Sequence, residues 1–186
     1  MGLISMGVAR AGAVAACLLV VAACAPSDLS DPVPTTAEAP FVCDGVPLTG
    51  LQRLTGIRDL TVEDDTSGPW DEHFTCHVYD GDRLVVWVLY MSTEWLGYGS
   101  LEDQITEART RHGALQIVAD APGAGYVEVR DKEMMARWVC EDNTRTDVTV
   151  YATGGADMEE DLARYMVSIL PWACGDAEAP PRTVEE

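Results

Sequence analysis

The N-terminal segment constrains this chain more than any other feature, because it decides in which compartment the rest of the chain folds. A short stretch with one positive charge, Arg10, leads into an apolar run over residues 11–23. A membrane-spanning helix needs roughly 20 consecutive apolar residues, so this run is too short to cross a bilayer and is typical of a signal peptide. The sequence therefore predicts that residues 1–23 are a signal peptide and that the remaining chain folds outside the cytoplasm.

The apolar run ends in Val21-Ala22-Ala23-Cys24, which resembles the lipobox of bacterial lipoproteins. The small residues of a lipobox admit the signal peptidase, and the cysteine thiol receives a diacylglyceryl group. Stable anchoring takes two lipid signals, because a single myristoyl chain binds a membrane only marginally. The resemblance implies that Cys24 is lipidated and attaches the protein to the extracellular face of the cell membrane. The alternative is an ordinary secretory signal in which Cys24 is incidental, and either Met1 or Met6 can be the start.

Four cysteines remain beyond the leader and Cys24, namely Cys43, Cys76, Cys140 and Cys174. An even number of cysteines in an exported chain predicts disulfides, and four of them allow three pairings. We favour Cys43–Cys76 and Cys140–Cys174, because each link ties one end of the domain to a predicted strand. The chain has no Cys-x-x-Cys pair, so it lacks the motif of thioredoxin-like exchange and of the common zinc knuckles.

Shifts in composition divide the mature chain into three parts. Residues 24–40 are rich in proline, alanine, threonine and acids and predict a disordered tether, and residues 175–186 predict a disordered acidic tail. Residues 41–174 between them are long enough for one domain with its own core. The formal net charge of −19 disfavours nucleic acid as a partner and opposes binding to anionic lipid headgroups.

Hydrophobic periodicity predicts an α+β domain. Acid-rich first turns and apolar stripes indicate one helix that begins at Ser100 with Asp103 as its capping partner, and another that begins at Asp157 and is stopped by Pro171. The order of helices and strands along the chain favours an antiparallel sheet with helices packed mainly on one face. The disulfides are expected to stabilise this domain. Alternating or doubly apolar segments predict the strands, with a turn at Asp80-Gly81, as residues 73–79, 83–91, 126–130, 134–141 and 146–153.

The order of these features resembles the small actinobacterial lipoproteins of domain-of-unknown-function family 3558. The features are the lipobox, a tether, Cys43 opening a short helix, Cys76 in the next strand, a glycine-rich turn into a strand, and a closing amphipathic helix. The resemblance covers residues 17–170 as an order of features. It implies an envelope lipoprotein and brings no catalytic residues, because the family has no established activity.

Two segments carry metal-ligand side chains, but neither pattern predicts a metal site. His73 and His77 share one face of a predicted strand at about 13 Å from each other, too far apart for one ion with ligand bonds of about 2 Å. Cys76 points to the other face. The acids at 63–65 and 71–72 lack the alternation and the central glycine of an EF-hand loop. We therefore predict no metal and no other cofactor.

The sequence contains no catalytic motif, and we predict a protein that is not an enzyme. It lacks a Gly-x-Ser-x-Gly elbow, a Ser-x-x-Lys motif and a complete glycine-rich phosphate loop. Trp95, Leu96 and Tyr98 lie between a predicted strand and a predicted helix, and tryptophan and tyrosine are enriched at interface hot spots. They form the candidate contact surface, with the alternative that Trp95 and Leu96 fold back over the sheet.

These observations predict a lipid-anchored envelope protein that acts as a non-catalytic binding or scaffolding module. The expected partner is another envelope protein, and an exposed apolar patch would fit that role. The alternative is a carrier or sensor for a small ligand, which requires an enclosed pocket between the sheet and the helices. A cryptic hydrolase is a third possibility, which requires polar side chains clustered in a cleft.

Overall fold

A computed structural model of the 186-residue chain describes residues 28–63, 70, 73–96, 99–151 and 157–184. The helices are α1 (Leu48–Thr55), α2 (Leu101–Thr110) and α3 (Met158–Ala173), with a short 3₁₀ helix at Thr93–Leu96. The strands are β1 (Phe41–Cys43), β2 (Val46–Pro47), β3 (Thr61–Glu63), β4 (His73–Asp80), β5 (Arg83–Ser92), β6 (Leu115–Ile117), β7 (Ala124–Arg130), β8 (Glu133–Val139) and β9 (Thr144–Val150).

Seven of these strands form one antiparallel sheet in the order β3-β4-β5-β9-β8-β7-β6, and β1 and β2 pair separately. The predicted α+β class with an antiparallel sheet is confirmed. Val88 and Leu89 are neighbours in the regular part of β5, so they point to opposite faces, and both are buried. β5 is thus an inner strand between β4 and β9 with apolar residues on both faces, as the sequence predicts.

The helices cover both faces of the sheet. Ala136 and Trp138 of β8 belong to the main core, which also contains the buried residues of α1 and α3. Met135 and Val139 of the same strand belong to a second cluster with α2. Because alternate residues of β8 point in opposite directions, α2 lies across the sheet from α1 and α3. The prediction that the helices pack mainly on one face is therefore not confirmed.

Two disulfides close the domain, and both have the predicted pairing. Cys43–Cys76 joins β1 to β4, and Cys140–Cys174 joins the residue after β8 to the residue after α3. All four cysteines are buried. The first link fixes the start of the domain against the sheet, and the second fixes its closing helix.

The ends of two predicted elements differ from the sequence prediction. The turn between β4 and β5 consists of Gly81 and Asp82, with Gly81 at φ 61°, so it lies one residue further along than predicted. Helix α3 contains Pro171 and ends at Ala173. A proline in the last turn of a helix removes one hydrogen bond, and the Cys174 N–H still donates to the carbonyl of Leu170 at 2.9 Å.

Parts of both terminal segments contact the domain. Residues 28–40 and 175–184 contain no helix or strand, but Val33 is buried and its N–H donates to Asp161 Oδ1 at 3.0 Å. At the other end the Thr183 hydroxyl accepts from the N–H of Phe41 at 2.8 Å, and the Thr183 N–H donates back to the Phe41 carbonyl. The folded unit therefore includes parts of the segments for which the sequence predicts a tether and a tail.

The buried phenol of Tyr165 gives a test of the core. Tyr165 is fully buried on α3, burial raises its pKa well above the ordinary value, and its hydroxyl has no hydrogen-bond partner among the described residues. An unpaired buried hydroxyl costs about 1–3 kcal/mol. We therefore expect Tyr165→Phe to raise the free energy of unfolding by about 1 kcal/mol in urea denaturation. A loss of stability would contradict this environment for Tyr165.

Candidate functional site

The residues for which the sequence predicts lipid attachment and partner contact lie mostly outside the described part of the chain. Cys24 belongs to residues 1–27, and Tyr98 belongs to residues 97–98, neither of which is described. Trp95 and Leu96 contribute their backbone to the 3₁₀ helix that leads from β5 toward α2. Among the helices of the described residues, none is long and apolar enough to cross a bilayer.

The histidines and acids considered as metal ligands do not converge in the described residues. His73 and His77 lie on β4, and the His77 ring stacks on Trp87 with the ring centroids 6.1 Å apart. Cys76 is part of a disulfide. Within residues 28–63, 70, 73–96, 99–151 and 157–184, no group of three or more histidine, cysteine or acidic side chains is placed to hold a metal ion. The acids at 64–65 and 71–72 lie outside these residues.

A cavity of about 220 Å³ between α2 and the sheet is the best candidate for a functional site. The whole chain has 31 acidic residues against 12 basic ones, yet this cavity is lined by three arginines and one carboxylate. The lining is thus richer in arginine than the rest of the chain, although Glu107, Glu128 and Asp147 pair with these arginines. We call it the arginine cavity, and its lining residues are Gln104, Glu107, Ala108, Arg111, Tyr126, Arg137, Val139 and Arg145.

Strand register places Arg137 at the centre of this site. On β8, Arg137 lies directly opposite Tyr126 of β7 on one side and Asp147 of β9 on the other. Its Nε and Nη2 donate to the two carboxylate oxygens of Asp147 at 2.8 and 2.9 Å. Such a two-point contact fixes the plane of the guanidinium as well as its position. Its Nη1 makes only a long contact of 3.4 Å with the Tyr126 hydroxyl.

Asp147 also binds the second arginine of the cavity. Arg145 Nη2 lies 2.9 Å from Asp147 Oδ2, and the two side chains are 8% and 9% exposed. One buried carboxylate thus bridges two guanidinium groups. Buried charges are tolerated only when they are paired and hydrogen-bonded. Asp147 therefore holds Arg137 and Arg145 together on the sheet face.

The third arginine, Arg111, follows α2 and reaches from the helix side. It donates from Nη1 to Glu107 at 2.6 Å and from Nη2 to Glu128 at 3.1 Å, and its guanidinium lies 5.6 Å from the centre of the Tyr126 ring. These contacts tie the end of α2 to β7. Arg111 thus closes the cavity with a cation whose position is set by two carboxylates and one aromatic ring.

The pKa values of these groups favour their charged forms. The pKa of Arg111 is raised, chiefly by its hydrogen bond with Glu128. Burial alone would lower the pKa of Arg137, but the hydrogen bonds with Asp147 outweigh it and the net change is upward. Burial likewise opposes the charge of Glu128, yet the hydrogen bonds from Arg111 and Arg130 lower its pKa overall. Arg111 and Arg137 therefore stay cationic across the physiological pH range.

This arrangement is suited to bind an anion. Guanidinium groups recognise carboxylates and phosphates through paired hydrogen bonds, and here their positions are set before a ligand arrives. The cavity is smaller than the clefts of roughly 300–1,000 Å³ that enclose drug-sized ligands. It therefore accommodates an anionic group better than a large molecule.

None of the three arginines of this site was predicted from the sequence as a functional residue. One signal was nevertheless present, because Arg137 is the one charged residue between Met134 and Cys140, where all its neighbours are apolar. A charged residue in the middle of a buried strand face needs a partner. The predicted bounds of these strands, 134–141 and 146–153, would place Arg137 opposite Val150, so the pair with Asp147 follows only from the observed register.

A wider groove of about 780 Å³ is lined by acidic and not by basic side chains. Two of its carboxylates are already engaged, since Asp44 accepts from the Arg182 N–H at 2.8 Å and Asp142 accepts from the Thr144 N–H at 3.1 Å. Its acidic charge is that of the protein surface in general, so it is a weaker candidate. Its aromatic and acidic lining residues are Trp70, Tyr90, Trp172, Asp44, Asp142, Asp176 and Glu178.

No protein-family profile, curated protein or solved structure matches the chain. The resemblance to family 3558 therefore stays a prediction. The function has to be argued from the site itself.

Removal of the bridging carboxylate tests the electrostatic account of the cavity. We expect Asp147→Asn to lower the free energy of unfolding by about 3–5 kcal/mol, because it leaves two largely buried guanidinium groups without their shared counter-ion. Glu107→Gln removes a carboxylate that is 62% exposed, so it should cost under about 1 kcal/mol. Urea denaturation of the two variants measures both changes. Equal losses would show that the bridge through Asp147 is no more important than a surface ion pair.

Proposed function

We propose that this protein is a lipid-anchored, non-catalytic binding module of the cell envelope and that its arginine cavity binds a carboxylate presented by another envelope protein. In this proposal Cys24 carries the lipid and holds the protein at the extracellular face of the cell membrane. The observation that carries the proposal is the convergence of Arg111, Arg137 and Arg145 on one small cavity in an otherwise acidic chain.

The hydrogen-bonding state of Arg137 supports an anionic ligand. Asp147 occupies its Nε and Nη2, whereas Nη1 has only the 3.4 Å contact with Tyr126. A guanidinium held from one side in this way can donate from its other edge to an incoming carboxylate. Glu107 is the one acid in the lining, and it is paired with Arg111. The cavity therefore offers donors to an anion in a partly dehydrated place, where such bonds are stronger than in water.

The chemistry of the lining supports a binding role over a catalytic one. The described lining consists of three arginines, one glutamine, one glutamate, one tyrosine and two apolar residues. These groups donate hydrogen bonds or shape the cavity. A hydrolase needs a nucleophile beside a base that activates it, and the lining residues do not supply that pair.

The position of the cavity supports a protein partner. The 3₁₀ helix that contains Trp95 and Leu96 leads from β5 to α2, the helix that forms one wall of the cavity. Arginine, tryptophan and tyrosine are the residue types most enriched at interface hot spots. In this proposal the cavity binds the partner's carboxylate, and the predicted contact residues Trp95, Leu96 and Tyr98 belong to the segment that precedes α2 in the chain.

A carrier or sensor for a small anion is the second candidate. It is favoured by the location of the cavity between a helix and a sheet face, which is where a carrier needs its pocket. The two candidates differ in what is bound, since a carrier takes a free small anion such as a short-chain carboxylate or phosphate. Each therefore gives a different result in the next experiment.

In-cell crosslinking of the lipidated protein tests the proposed partner. We expect one dominant protein partner, which is lost in Arg137→Gln because the central cavity donor is removed. Arg83→Gln is the matched control, since Arg83 pairs with Asp80 at an exposed hairpin far from the cavity lining. Retention of the partner by Arg137→Gln would refute the cavity as its binding site.

The same variants separate the small-anion candidate. The carrier hypothesis predicts that no protein is enriched. It also predicts that acetate, succinate or inorganic phosphate raises the melting temperature of the wild type and not of Arg137→Gln. This result would replace the docking hypothesis. Binding to the folded state shifts stability in proportion to the logarithm of ligand concentration. Absence of both effects would leave the cavity without a ligand of either kind.

The proposed anchor has a simple test in the producing bacterium. We expect wild-type protein in the membrane fraction and Cys24→Ser protein outside it, because the substitution removes the thiol that receives the lipid and a two-chain anchor is what gives stable attachment. Membrane fractionation followed by mass spectrometry of the N-terminal peptide measures both the location and the modification. Equal distribution of the two proteins would refute lipid attachment through Cys24.

A further inference from the structure

Residues 31–33 fasten the N-terminal segment to two helices. Val33 is buried to 1% exposure, and its N–H donates to Asp161 Oδ1 of α3 at 3.0 Å. The carbonyl of Pro32 accepts from Arg53 Nη1 of α1 at 2.9 Å, and Asp31 lies 3.6 Å from the same guanidinium. We call residues 31–40 the strap. Because one apolar side chain and several polar contacts fix its first residues, the strap is part of the domain.

This attachment shortens the chain between the domain and Cys24. An extended chain spans at most about 3.3–3.6 Å per residue, so residues 24 and 31 can be no more than about 25 Å apart. If the whole segment up to Phe41 were free, the corresponding limit would be close to 60 Å. Docking of the strap therefore removes more than half of the reach that the sequence alone allows.

The strap and the arginine cavity lie on opposite sides of the sheet. Val33 packs in the core that contains α1 and α3, whereas the cavity lies between the sheet and α2. A helix layer and a sheet layer each add about 10 Å of thickness. The point of attachment to the lipid anchor is thus separated from the cavity by α3 and the sheet.

We propose that the strap holds the domain close to the outer leaflet with the α1–α3 side toward the membrane and the arginine cavity facing away from it. This inference rests on the proposed lipidation of Cys24. The kind of partner that fits is then one that approaches from the extracellular side, because a lipid headgroup in the same leaflet would have to reach around the domain. The net charge of −19 repels the domain from anionic headgroups, so a domain on a longer free tether would lie further from the membrane.

Energy transfer from the domain to the membrane surface tests this orientation. Full-length lipidated protein is reconstituted into phosphatidylcholine vesicles that contain an acceptor dye on a fraction of the headgroups. Donor dyes are attached through Glu160→Cys on α3 or Thr106→Cys on α2, both of which are exposed positions. Cys24 carries the lipid in this protein, and the four cysteines of the domain remain in disulfides. We expect more efficient transfer from position 160 than from position 106.

Two variants release the domain in different ways. Val33→Asp weakens the strap itself, and insertion of about ten Gly/Ser residues after Ser27 lengthens the chain by about 15–20 Å without touching the strap. Both should lower transfer from position 160 and reduce its advantage over position 106. The insertion keeps the test valid if Val33→Asp fails to fold.

The outcomes separate the two proposals. Equal transfer from positions 160 and 106, or no response to the insertion in protein that floats with the vesicles, would overturn the orientation while leaving the lipid anchor intact. Wild-type protein that does not float, and therefore behaves like Cys24→Ser protein, would overturn the anchor and with it the membrane role of the strap. Higher transfer from position 160 that falls on insertion supports the orientation.

Discussion

The register of β7, β8 and β9 is the constraint on which the rest of the structure depends. It places Ala136 and Trp138 in the main core and Arg137 between Tyr126 and Asp147 on the opposite face. A slip of one residue would exchange the two faces and move a guanidinium into the apolar core. Gly125 helps to prevent this slip, because it lies opposite Trp138 and a Cβ at that position would approach the Trp138 ring to 2.5 Å.

Strands β8 and β9 also explain how a domain of this size tolerates buried charge. Two arginines and an aspartate on one face contribute little net stability, because desolvation offsets most of their attraction. The other face carries the compensating apolar burial, and Cys140, directly after β8, links it to the end of α3. The helix that closes the core is therefore attached to the strand that carries the central arginine.

The features predicted correctly from the sequence are those with local causes. Alternation in β4 and β9 and the capping of α2 by Ser100 with Asp103 depend on residues near one another in the chain. The disulfide pairing is the exception, since its partners lie 33 and 34 residues apart and were predicted from the expected places of the strands. The arginine cavity was missed because it needs three strands in register and a helix on the unexpected face. Val33 was missed for a similar reason, since its binding place exists only once α1 and α3 have packed together.

An acidic protein that binds an anion must obtain its specificity from fit, because its overall field opposes the encounter. With a net charge of −19, long-range forces slow the approach of an acidic partner and do not steer it. Salt screens this repulsion over roughly 10 Å, whereas the hydrogen bonds inside a partly dehydrated cavity are screened much less. Added salt should therefore raise the association rate more than it raises the dissociation rate. Ordinary charge-steered binding behaves in the opposite way, because salt slows its association. In the proposed role, selectivity would therefore come from the fit of the anion to the donors around Arg137 and not from long-range attraction.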